Sequence, residues 1–171
     1  MKIRTSLAAL FAAVTAAAFM AAPASAAPSG TANGSGTAET TVAVDPASVD
    51  TIAYGAKSSA PEGAAEVGLL WERCLIQGST GNQACFEDYG DWFHVYDGDS
   101  DGASAAAYWW TDYGRSGICY NSEGAGTWAS CNYNMDEDGI VYWKTCYQNR
   151  SAGGDLYCTQ TTVSKAINGD W

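Results

Sequence analysis

Residues 119–131 read CYNSEGAGTWASC and residues 146–158 read CYQNRSAGGDLYC, so a cysteine returns twice after the same interval of eleven residues. In an antiparallel hairpin, facing residues have positions of constant sum. Setting Cys119 opposite Cys131 centres the turn on Ala125 and leaves Gly124-Ala125-Gly126 as its loop. Setting Cys146 opposite Cys158 centres it on Ala152 and leaves Ser151-Ala152-Gly153. Three-residue hairpin loops commonly end on a left-handed residue, where glycine is least strained. Gly126 and Gly153 stand at that place. The second register also sets Val141 against Val163, Trp143 against Thr161, Thr145 against Thr159 and Tyr147 against Tyr157. Each such pair is worth roughly 0.2–1 kcal/mol over Ala–Ala, and a one-residue slip loses them all.

Cys74 and Cys85 have one residue fewer between them, which predicts a Gly78-Ser79-Thr80-Gly81 loop. The expected framework is therefore Cys74–Cys85, Cys119–Cys131 and Cys146–Cys158, one of the roughly 15 pairings that six cysteines allow. A zinc site fits poorly, because no C-x-x-C is present and His94 is the only histidine. Each bridge closes a loop of about a dozen residues, worth about 3 kcal/mol in the chain-entropy account.

The N-terminus explains why disulfides are expected. Lys2 and Arg4 precede an apolar run over Leu7–Ala22, and Ala24-Ser25-Ala26 is a small-residue cleavage site. That pattern is a secretory signal over residues 1–26, and a spanning helix needs about 20 apolar residues. Export places the cysteines where disulfides persist. Two of the eight basic residues lie inside the signal, leaving six against nineteen acidic ones and a formal charge of −13 on the mature chain. An acidic surface disfavours nucleic acid and anionic membranes as partners.

Residues 27–66 are rich in Ala, Ser, Thr, Gly and Pro, with Tyr54 their only aromatic, and are expected to form a flexible leader. All seven Trp and nine of ten Tyr follow, which places the folded domain at 67–171. Short β-branched and aromatic segments alternate there with turn residues. The expected strands are Leu69–Ile76, Ala84–Glu87, Trp92–Tyr96, Ala103–Thr111, Ile118–Ser122, Thr127–Tyr133, Ile140–Gln148 and Leu156–Val163. The fold class predicted is all-β, a small antiparallel sandwich or barrel stapled by three disulfides.

Candidate sites follow from residue chemistry. Asp97, Asp99 and Asp101, in DGDSDG, open like a calcium loop, since alternate carboxylates converge on a hard cation. The twelfth position is Tyr108 rather than Glu, and a solvated turn is the plainer reading. A second oxygen-rich run holds Asn132, Asn134, Asp136 and Asp138. Calcium is thus the one cofactor expected, if any. Trp109 and Trp110 are candidate sugar platforms, but neighbours on a strand point to opposite faces. Arg115, in DYGRSG, would suit an inhibitor loop, or else pairs with a neighbouring carboxylate. His94 shares a strand face with Trp92 and Tyr96, with no nucleophile placed beside it by a known motif. No catalytic residue is therefore assigned.

The stretches ACFEDYGDWFHVYD, TDYGRSGICYN and GAGTWASCNYNMDEDG resemble small secreted proteins of Streptomyces and related actinobacteria. The resemblance spans Ala84 to Cys146 and implies an exported protein, with no catalytic residue to carry over. The function expected is a secreted, non-enzymatic domain that binds an extracellular protein or glycan. A protease or glycosidase inhibitor and a calcium- or carbohydrate-binding module are the alternatives, with a small hydrolase behind them.

Overall fold

The computed structural model describes residues 39–62 and 74–169. The expected signal, residues 1–26, and the first part of the predicted strand Leu69–Ile76 lie outside them.

Alternation of core and surface residues builds the strands. In β6 (Ser104–Thr111) Ala105, Ala107 and Trp109 face the core, and in β9 (Ile140–Gln148) Val141 and Trp143 do the same. These two pair antiparallel over eight residues. Around them lie β1 (Thr41–Val44), β2 (Thr51–Ser58), β3 (Cys74–Ile76), β4 (Gln83–Glu87), β5 (Trp92–Tyr96), β7 (Ser116–Asn121), β8 (Trp128–Asn132), β10 (Leu156–Thr159) and β11 (Val163–Ala166). All join one 11-stranded sheet in the order β1-β10-β9-β6-β7-β2-β8-β5-β4-β3, with β11 also on β9. The sheet is open and folds over on itself. Its two halves meet in one core, where Phe86, Phe93 and Val95 of one half pack with Trp109, Val141 and Trp143 of the other. Polar ties cross the same gap: Trp143 Nε1 donates to the Ala84 carbonyl at 3.0 Å, and Thr145 Oγ1 donates to that of Leu75 at 2.5 Å. The all-β, disulfide-stapled class holds, as a sandwich-like arrangement rather than a closed barrel.

All three predicted bridges are present. The turns that predicted them fare unequally. Cys74 faces Cys85 in the expected register, with the Gln77 N–H donating to the Asn82 carbonyl and Gly81 at φ +71°. Cys146 faces Cys158 and Tyr147 faces Tyr157, also as expected. The loop there is longer than three residues, running from Asn149 to Asp155, with Gly153 and Gly154 both left-handed. Beyond Thr159 the partner strand breaks and resumes as β11, shifted by two residues, so that Val163 faces Trp143 and Lys165 faces Val141. An even shift keeps every side chain on its own face.

Cys119–Cys131 is a bridge but not a hairpin. β7 and β8 are not neighbours, because β2 lies between them. Thr51–Gly55 runs parallel to β7, and Ala56–Ser58 then runs antiparallel to β8. The strand changes halves at Gly55, where a Cβ would stand 2.9 Å from that of Ala129. This corrects the extent of the expected leader and the start of the domain at 67. Thr41–Val44 and Thr51–Ser58 belong to the sheet, and the missing signal was a central strand with few large apolar residues, because its neighbours supply the bulk.

Trp109 sits where the halves meet. Its ring is stacked 6.1 Å from Phe93, and Tyr133 meets it edge-on at 4.7 Å. The indole also lies against the backbone of Gly117, where a Cβ would fall 2.5 Å from the ring and 2.9 Å from the Thr51 carbonyl oxygen. Gly117→Ala should therefore cost about 1–3 kcal/mol, the usual penalty of overpacking. Urea midpoints of the two proteins check this, and equal midpoints would show that the ring can withdraw.

Candidate functional site

The outer face of the β4–β5–β8 half carries the most organised polar chemistry among the described residues. On β5, Phe93 and Val95 enter the core, so Trp92, His94 and Tyr96 face outward. On β8, Ala129 and Cys131 face inward, which leaves Trp128, Ser130 and Asn132 outside. The register places His94 directly between Cys85 and Ser130, with Ala56 of β2 beyond Ser130. Diagonal neighbours complete the group: Glu87 lies one pleat along β4, and Ser58 one pleat along β2.

These side chains form a continuous chain of hydrogen bonds. His94 Nε2 lies 2.9 Å from Glu87 Oε2, Ser130 Oγ lies 2.7 Å from His94 Nδ1, and Ser58 Oγ lies 2.6 Å from Ser130 Oγ. The His94 side chain is 11% exposed and that of Glu87 39%, so the imidazole is buried while the carboxylate reaches water. Burial pushes the imidazole below its ordinary pKa of 6.5, against the hydrogen bond and charge of Glu87, which pull it up. His94 is thus neutral at pH 7. A carboxylate only accepts, so Nε2 carries the proton, Nδ1 is the acceptor and Ser130 donates to it. Ser130 and Ser58 share the remaining hydroxyl–hydroxyl bond. The direction of the chain follows from the network alone.

Aromatic rings border the group. Trp92 stacks on His94 at 6.4 Å and is 38% exposed. Tyr96 and Trp128, facing across the strands, lie 5.2 Å apart. The turn that presents Trp92 has Gly90 at φ +85° and Asp91 at φ +57°. Asp91 holds that conformation through its Oδ2, which accepts from the Met135 N–H at 2.8 Å, and its carbonyl, which accepts from Tyr133 N–H at 3.0 Å.

The residues singled out from sequence are placed elsewhere. Asp97 is buried, and its Oδ1 accepts from the Asp99 N–H, while Asp101 Oδ1 accepts from Ala103 N–H at 2.8 Å. Burial raises the Asp97 pKa. The Asp97 loop borders a shallow polar cleft of about 290 Å³ shared with Asn121 and Ser122. Asp136 Oδ1 accepts from Asp138 N–H in the other oxygen-rich run. Among the described residues no group of three or more His, Cys, Asp or Glu side chains gathers around a point that could hold a metal. The carboxylates cap their own turns instead. Trp109 is fully buried, while Trp110 lies half-exposed on the opposite face, stacked on Tyr142 at 5.8 Å. Arg115 is half-buried: Nη1 donates to the Asn134 carbonyl and the guanidinium lies 5.9 Å from the Trp109 ring. It does not project as an inhibitor's side chain would.

Sequence reading singled out His94 but not Glu87, Ser130 or Ser58. The β4–β5 hairpin, with turn residues 88–91, was the available signal for Glu87. Nothing local marks Ser130, because its pairing with His94 spans 36 positions. Comparison with family models, curated proteins and solved structures gives no match to this chain.

A histidine with a depressed pKa binds its proton more readily when unfolded. Its contribution to stability is therefore complete above pH 6.5 and is lost as the pH falls from there towards the folded-state value. The single imidazole should titrate by NMR with a midpoint below 6.5. His94→Gln should flatten the decline in melting temperature between pH 7 and pH 5.5. A midpoint at or above 6.5 would contradict the assigned protonation.

Proposed function

We propose that this chain is an exported extracellular binding domain, and that it binds glycans on the outer face of the β4–β5–β8 half. The observation that carries the reading is Trp92. A large ring is held partly in solvent by a left-handed turn and a stack on a buried imidazole, beside hydrogen-bonding groups. A sugar offers a C–H face to such a ring, and its hydroxyls pair with side chains like Glu87 and Asn132. Asn132 is exposed and directly opposite Trp92.

An extracellular setting is supported by three disulfides with no free cysteine among the described residues. The signal-like N-terminus and the resemblance to exported actinobacterial proteins point the same way. Inhibition through Arg115 gains no support, because its guanidinium is engaged within the domain.

The purified protein should be retained on at least one of chitin, cellulose and xylan. Trp92→Ala should weaken that retention about tenfold, the equivalent of about 1.4 kcal/mol, with melting temperature little changed. Absence of retention on all three, or retention indifferent to Trp92, would remove the glycan reading.

A further inference from the structure

The hydrogen-bonded chain on this face has the parts and the polarity of a nucleophilic relay. We infer that Ser130 is a nucleophile that accepts acyl groups from neutral carboxylic esters, with His94 Nδ1 as its base and Glu87 as the residue that positions the imidazole. The inference uses the same face as the glycan reading, but it does not require glycan binding.

A serine hydroxyl is a poor nucleophile until a neighbouring base takes its proton, and that base works best when a third group orients it. Both relations are present, at 2.7 Å and 2.9 Å. The order of charge is also right. Neutral His94 can accept a proton, and the imidazolium that forms rests against the Glu87 carboxylate. Ser130 is itself buried, at 9% exposure, and its partner on β2 is the exposed Ala56, whose side chain is only a methyl group. Neutral esters are the substrates favoured, because an acidic chain with a carboxylate in the relay repels anions.

Ser130 Oγ forms a bond to the ester carbonyl carbon while its proton passes to His94 Nδ1. The tetrahedral species collapses, the ester C–O bond breaks, and the alcohol leaves with the proton from Nδ1. Water repeats the sequence on the acyl-serine, giving its proton to Nδ1 and releasing the carboxylic acid as Ser130 is restored.

A second feature argues against a merely structural pairing. A purely apolar cross-strand pair would cover the sheet without burying an imidazole, whose burial costs stability unless its nitrogens are satisfied. Here both nitrogens are satisfied, by groups that together give the serine a base.

The test is covalent labelling of the full exported protein with an alkyl fluorophosphonate, which traps an activated serine with loss of fluoride. Intact mass and peptide mapping report the position. The result expected is a single adduct on Ser130, absent in Ser130→Ala and slowed at least about 100-fold in His94→Gln, the scale of general-base assistance. Glu87→Gln should slow labelling and move the acid limb of its pH profile to lower pH, since Glu87 is the charged group in contact with His94 and raises its pKa. The other groups around the imidazole are uncharged: Ser130 and, beyond it, Ser58, with the Cys74–Cys85 bridge opposite on β4 and Trp92 on the same strand. Circular dichroism and melting curves accompany each variant. If His94→Gln does not fold, the position of the adduct on the unaltered chain decides alone.

Folded protein that leaves Ser130 unmodified at millimolar reagent overturns the inference, as does labelling spread over surface serines or unaffected by a folded His94→Gln. The two readings of this face fail separately. Loss of polysaccharide retention with Ser130 still labelled removes glycan binding alone, and retention without labelling removes the nucleophile alone.

Discussion

The structure depends on the seam at β2. One strand pairs parallel with β7 over its first five residues and antiparallel with β8 over its last three, and by doing so makes one sheet of what would be two. The sheet folds at this strand, which brings β7 and β8 towards each other beneath it. The Cys119–Cys131 bridge then joins them with a Cα separation of 5.9 Å. Hydrogen bonds on one side of the seam and a covalent tie on the other hold the two halves at the spacing that Trp109 and Phe93 fill. Gly55 and Gly117 belong to the same constraint, since both permit close approaches that a methyl group would obstruct.

That spacing also decides which residues face outward. With Phe93, Val95, Ala129 and Cys131 committed to the core, the period of two leaves His94 and Ser130 no choice of face. The polar chain over Glu87, His94, Ser130 and Ser58 is thus a by-product of core packing in the sense that its placement is inherited from the other side of the sheet. Its chemistry is its own. The imidazole is buried, which lowers its pKa, while the carboxylate reaches water.

The three disulfides act at different levels. Cys74–Cys85 and Cys146–Cys158 join neighbouring strands that hydrogen bonds already pair. They shorten the unfolded chain's freedom without choosing the topology. Cys119–Cys131 joins strands that share no ladder, so it bears on how the sheet folds. Equal intervals between cysteines therefore conceal two kinds of connection, a hairpin and a corner.

Much of the architecture was legible in the residues themselves. Cysteine spacing gave all three bridges, although the hairpin that suggested Cys119–Cys131 is not formed, and alternation set Phe93 with Val95 and Trp109 opposite Trp110, because that signal acts within one strand. The two-residue shift at β11, the insertion of β2 and the meeting of His94 with Ser130 were not legible. Each depends on which distant strands lie side by side, and residues such as Thr51–Ser58 carry no pattern that names β7 and β8 as partners. The sequence alone determined that this is an oxidised, all-β chain with an aromatic core. Only the tertiary structure decided where its polar residues meet, since long-range pairing is selected by the packing of the whole sheet and not by any local stretch.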